Sequence, residues 1–276
     1  MKKRTLYLIA FLGMFLLIPF TANAAENNDD VQEEVLVSKL TQNEIDYLRN
    51  NVGLTESEIE DFPIEVLLQL IDNKAKKEAS GFNIEDHYEL SSSPGAIATF
   101  GTIKKSTLKL GATAFKVSSD KSGAYKYYFY GNFEWLKPPV WGLVDKMTIG
   151  FPSANRFYLP TSKGKVTQHA HKYNYSYNRG TTWVGKAIKT TPTNFENNSG
   201  VAGSFDLVPG EILHKGYIGQ YVYLNKKNAG DSMNIKFEYG HKKVVGTISI
   251  GVYPTGLGIS PATNLDTQAY ALTLNY

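Results

Sequence analysis

Apolar and polar positions follow two different periods along this chain. In "DFPIEVLLQLIDNKAKK" the residues Ile64, Leu67, Leu68 and Ile71 recur every three or four positions, which predicts a helix with one apolar face. Asp61 stands where a cap would, Pro63 falls in the first turn where its missing amide costs little, and Lys74, Lys76 and Lys77 form a basic last turn suited to the helix dipole. Upstream, Thr41 with Glu44 and Thr55 with Glu58 have the spacing of capping boxes, in which hydroxyl and carboxylate satisfy free amides at a helix start. Gly53 can stop the first of these helices. So small a helical segment cannot bury its own stripe and must pack on the rest of the chain, on a partner or on another copy.

From about Tyr88 the period becomes two. "STLKLGATAFKV", "GAYKYYFYGNFEW", "DKMTIGF", "GKVTQHAHKYNYSYN", "TTWVGKAIKT", "GYIGQYVYLN", "DSMNIKFEYG", "VVGTISIGVY" and "TQAYALTLNY" read as strands, separated by turn formers such as "SSDKSG", "NKKNAGD" and "YPTGLG". Many short strands with no helices between them predict a mainly β protein, an antiparallel β-sandwich or barrel preceded by a small N-terminal helical segment. The final strand predicts a carboxyl terminus tied into a sheet.

The start of the chain adds a compartment. "MKKRTLYLIAFLGMFLLIPFTANAAENNDD" has a basic beginning, an apolar run from Leu6 to Phe20, and Ala22-Asn23-Ala24 as a small-x-small cleavage pattern. Residues 1–24 therefore read as a secretion signal removed near Ala24, and the protein as secreted. With no cysteine, disulfides, Cys-ligated zinc, a thiol nucleophile and a lipoprotein anchor are excluded. Charge then divides what remains. Residues 25–84 hold 14 acids and 5 bases, whereas residues 85–276 hold 12 acids and 21 bases. The chain reads as a signal peptide (1–24), an acidic leader and helical segment (25–84) and a basic antiparallel β-domain (85–276).

Candidate chemistry lies in two places. On an extended strand, Thr167, His169, His171, Tyr173, Tyr175 and Tyr177 share one face, opposite Gln168, Ala170, Lys172, Asn174 and Ser176. Two imidazoles at i and i+2 can share a metal, but that needs a third ligand, and His87, His214 and His241 stand in no recognisable spacing. The polar opposite face makes the His/Tyr row the inward one, so His169, His171, Tyr173 and Tyr175 are expected to face the core or a ligand, and no metal or other cofactor is expected. The second place is "WLKPPVW", where Pro138-Pro139 enforces an extended loop between Trp135 and Trp141. Such indoles can stack on a sugar ring or sit at a lipid interface, the alternative being core filling.

The stretch "LTQNEIDYLRNNVGLTESEIEDFPIEVLLQLIDNKAKK" resembles a segment near the start of uncharacterised secreted proteins of Bacillus-type Gram-positive bacteria. The resemblance covers roughly residues 36–80; it implies export and brings no activity or site residues. The β-half is similar in style to β-pore-forming toxins, although no insertion hairpin stands out. No G-x-S-x-G, H-E-x-x-H, phosphate-binding loop or dinucleotide fingerprint is present. The leading expectation is a secreted non-catalytic β-sandwich that binds a cell-envelope or extracellular surface component: an anionic cell-wall polymer, a glycan or a membrane surface, with no nucleic acid expected. The alternatives are a membrane-active, pore-forming-like β-protein held soluble by its acidic segment, and a metal-assisted hydrolase using His169 and His171.

Overall fold

The structure, a computed structural model, describes residues 31–32, 40–83 and 101–276. The expected secretion signal and most of the expected acidic leader lie outside the described residues. Three short helices come first: α1 (Gln42–Tyr47), continued by a π turn over Leu48–Val52, then α2 (Glu56–Asp61) and α3 (Ile64–Asp72). Both capping boxes form, Thr41 with Glu44 and Thr55 with Glu58, and Gly53 takes the left-handed conformation (φ 86°) that ends the first unit. The apolar face of α3 differs from the expected one. Val66, Leu67 and Leu70 are buried, Ile64 and Ile71 pack at the margin, and Leu68 is exposed. Asp61 closes α2 instead of capping α3, whose cap position is Pro63. Lys76 and Lys77 begin a strand, not a last helical turn.

The strands are β1 (Val31–Gln32), β2 (Lys76–Phe82), β3 (Gly101–Thr102), β4 (Leu108–Val117), β5 (Ala124–Trp135) and β6 (Val144–Gly150). They continue with β7 (Thr161–Ser162), β8 (Lys165–Val166), β9 (His169–Ser176), β10 (Val184–Gly185), β11 (Asn194–Glu196) and β12 (Gly200–Asp206). The last are β13 (Leu213–Asn225), β14 (Ser232–Lys242), β15 (Ile250–Tyr253), β16 (Gly256–Ile259) and β17 (Leu265–Asn275). A seven-stranded sheet has the order β1-β10-β9-β13-β5-β4-β2, and a six-stranded sheet the order β11-β12-β6-β14-β17-β3. Pairing within them is antiparallel except between β17 and β3. The two sheets face each other as a sandwich and do not close into a barrel.

Alternation along β5 shows how the layers are built. Tyr127, Phe129, Phe133 and Trp135 enter the core between the sheets, against Met147, Ile149, Phe237 and Tyr239. Their neighbours Tyr128 and Tyr130 point the other way, joined by Phe115, Tyr217 and Tyr221, and are buried under Leu48, Val52, Val66, Leu67 and Leu70 of the helices. The helical segment thus buries its stripe on its own β-half. Glu65 pairs with Lys172 (3.3 Å) and Asp61 with Lys109 (3.5 Å) across the junction. On the far side, the β15–β16 hairpin lies on the six-stranded sheet, where the Ile259 amide donates to Glu238 (2.8 Å). The order of layers is helices, sheet, sheet, hairpin.

Two expected strands are shorter than their alternation suggested. In "TTWVGKAIKT" only Val184–Gly185 is strand, and "VVGTISIGVY" contributes Ile250–Tyr253 after a loop. β17 carries the end of the chain between β14 and β3, and Tyr276 exchanges backbone hydrogen bonds with Asp231.

Candidate functional site

β9 carries the predicted row of histidines and tyrosines. It spans His169–Ser176, preceded by Gln168 at φ 56°, which breaks the row before Thr167; Tyr177 lies beyond its end and is exposed. His169, His171, Tyr173 and Tyr175 all face the core between the sheets and are buried. The other face of β9 is partly covered: Ala170 packs under the helices and Lys172 meets Glu65.

Hydrogen bonding fixes the imidazole tautomers. The Gln220 amide donates to the backbone carbonyls of Thr167 and Tyr221, which leaves its oxygen to accept from His169 Nδ1 (3.1 Å). His169 Nε2 is then the acceptor for His171 Nδ1–H at 2.9 Å. Burial pushes His169 down to about 4, opposed by Gln220. Burial likewise pushes His171 down to about 3, helped by the charges of His169 and Lys189. Room for the His171 ring comes from Gly203, where a Cβ would lie 2.9 Å from it. Among the described residues, no group of three or more His, Asp or Glu side chains could hold a metal ion.

Trp135 and Trp141, by contrast, line one cleft. It holds about 240 Å³ at one end of the sandwich, between the loop 136–143, the loop after β14 and the turn before β4. Trp135 ends β5 pointing inward and is buried; its indole donates to Tyr239 Oη (3.1 Å) and its ring lies 4.9 Å from that of His241. Below them, Asp145 is fully buried. It accepts from Tyr239 Oη (2.7 Å), His241 Nδ1 (2.9 Å) and the Lys242 amide (3.2 Å). Burial pushes the Asp145 carboxyl above the usual carboxylate range, with the His241 bond as the main opposing effect. This network anchors the base of the cleft: the carboxylate fixes the His241 ring, and the ring supports Trp135.

The mouth is built differently. Leu136 is tied to the β3–β4 turn by its amide, which donates to the Thr107 carbonyl (2.8 Å), and Pro138-Pro139 then carries the chain outward. At the tips, Val140 is 84% exposed, Trp141 50% and Val245 89%, with Leu136 and Val244 also exposed. Lys243 at the lip pairs with Asp266 (2.7 Å), and Lys104 and Lys137 stand exposed nearby. Sequence reasoning found the tryptophans of this site and missed His241, Asp145 and the Val244-Val245 tip. "VVGTISIGVY" reads as a strand from its first valine, although two valines between a basic pair and a glycine also fit a loop tip.

A second cleft, of about 590 Å³, opens on the outer face of the seven-stranded sheet beside α3. The residues of the His/Tyr row line neither cleft.

No family model matches the chain, and no curated protein matches it. Among solved structures, it is similar to the Clostridium perfringens NetB toxin in its membrane inserted form, at 8% identity over 73% of this chain and 97% of that one, with a TM-score of 0.32. A pore forming protein gives 9% identity, 73% and 92% coverage and 0.32; Clostridium perfringens delta-toxin gives 10%, 73%, 90% and 0.30. Likeness at this level carries no functional conclusion. Among the described residues, no helix is long and apolar enough to cross a membrane, which leaves strands unaddressed.

Proposed function

We propose that this is an exported, non-catalytic β-sandwich that docks on membrane surfaces through the loop 136–143 and the loop after β14. The observation that carries the reading is the exposure of Val140 and Trp141 at the cleft, and of Val244 and Val245 directly after its lining residue Lys243. Exposed valines gain nothing against a wall polyanion, whereas the boundary of a bilayer accepts apolar tips, an indole and flanking ammonium groups together. The buried Asp145–His241–Trp135 network supports this reading by giving the loops a rigid base.

The test is flotation with vesicles of phosphatidylcholine, with and without phosphatidylglycerol. Binding should be stronger with the anionic lipid, weaken with salt, and be abolished in a Val140→Asp, Val245→Asp double variant. Val252→Asp, an exposed valine on the β15–β16 hairpin, should leave it unchanged. Retention on purified walls with no vesicle binding would replace the membrane by a wall polymer as the target.

A further inference from the structure

The larger cleft has a different chemistry from the loop site. Its floor is the outer face of β5, β13 and β9, one wall is the start of α3, and the other is the 181–183 segment with Trp183. Consecutive residues serve the two sites: Trp135 looks inward to the loop cleft, and Glu134 outward to this one. About 590 Å³ suits a small organic ligand.

Three observations restrict that ligand. First, Asn132 and the more deeply buried Asn174 both line the floor, and the cross-strand neighbour of each is a glycine, Gly111 and Gly185. A Cβ at Gly111 would lie 2.4 Å from the Asn132 oxygen, and one at Gly185 3.2 Å from the Asn174 oxygen, so residues with side chains would crowd both amides. Second, the lysines at the cleft are matched by carboxylates. Lys172 meets Glu65, Asp61 meets Lys109, and Lys215 stands directly across from Glu134 on the neighbouring strand. No positive excess recruits an anion, and the carboxylates of Glu60 and Glu134 oppose a phosphate. Third, the aromatic framework is rigid. Tyr130 and Tyr217 stack at 5.7 Å, Phe62 packs 4.5 Å from Tyr130, and the half-buried Trp183 borders the opening with Lys215 4.6 Å from its ring centroid.

We infer that this cleft binds a neutral saccharide unit, with Asn132 exchanging hydrogen bonds with its hydroxyls, the Asn174 amide nitrogen donating to one, and Trp183 packing against its carbon face. A hydroxyl both donates and accepts, and an amide answers in kind; a pyranose also has apolar C–H faces that suit an indole. The ligand can be free or part of a polymer. This site is separate from the membrane-docking loops, and the inference does not rest on them.

The test is calorimetric titration with cellobiose, maltose and N,N′-diacetylchitobiose, alongside retention on chitin beads as the polymeric form of the last. At least one disaccharide should bind saturably. Asn132→Ala and Asn174→Ala should each weaken it at least about tenfold with the unfolding midpoint kept. Trp183→Phe should remove the accompanying change in tryptophan fluorescence. If an alanine variant does not fold, Asn132→Asp, of nearly equal volume, serves in its place with the same expected loss. The Val140→Asp, Val245→Asp protein should bind the sugar as the parent does. No saturable binding by any of the three sugars, or binding that survives all the cleft variants, would overturn the inference.

Discussion

At the scale of single residues, the His169–His171 pair shows how a feature that reads as a binding motif becomes part of a core. Each imidazole is held neutral by burial between the sheets, His169 at about 4 and His171 at about 3, and burial also lowers His214 to about 4. An unfolded histidine titrates near 6.5. Below that pH the unfolded chain takes up protons that the folded chain refuses, so stability is fully present above about 6.5 and is lost as pH falls toward 4. Each ring contributes a slope of up to about 1.4 kcal/mol per pH unit. Urea midpoints should therefore drop steeply between pH 6.5 and 5, before most carboxylates titrate. His171→Gln should flatten that dependence while lowering stability at neutral pH; a midpoint independent of pH across this window would refute the assignment. The inward direction of these residues was legible from alternation alone. Their mutual hydrogen bond was not, because Gln220, which sets the tautomers, lies 51 positions from His169. Asp145 and His241, 96 positions apart, were invisible for the same reason.

At the scale of elements, local signals were the readable ones. Thr41, Thr55 and Gly53 did what their spacing dictated, since a cap involves only residues within one turn. The apolar face of α3 was misjudged by one position because Val66, not Leu68, meets the tyrosines of the sheet, and only the docking direction decides between them. Leu67 is fully buried there. Leu67→Ala should cost about 2–5 kcal/mol in chemical unfolding, whereas Leu68→Ala, at an exposed position, should lie within about 0.5 kcal/mol of the parent. Equal effects of the two would mean that the helices do not dock as described. The short strands β10 and β15 show the converse limit. Alternation over ten residues is satisfied by loops whose side chains happen to pack, as in the segment around Trp183.

At the scale of the whole molecule, the opposite charges of the two halves are resolved by contact. The acidic helices lie on the basic sheet, and the ion pairs Glu65–Lys172 and Asp61–Lys109 mark the junction. The small size of the helical segment makes such docking one of three options. Strand β2 extends the arrangement: it follows the helices directly in sequence, yet it is an edge strand of the seven-stranded sheet, paired with β4. Helices and sheet should therefore unfold together, so that near-ultraviolet and far-ultraviolet dichroism give one coincident transition; a separate early loss of helix would speak against it.

The position of β17 bears on how such a chain is made. Residues 265–275 lie between β14 and the two-residue β3, so until they have emerged from the ribosome β14 lacks its partner on that side and β3 has none. The full length of β14 can therefore pair on that side only after the last residues are made, which places this pairing late in folding. A version stopped after Ala262 should accordingly show no cooperative melting and should be degraded quickly by added protease.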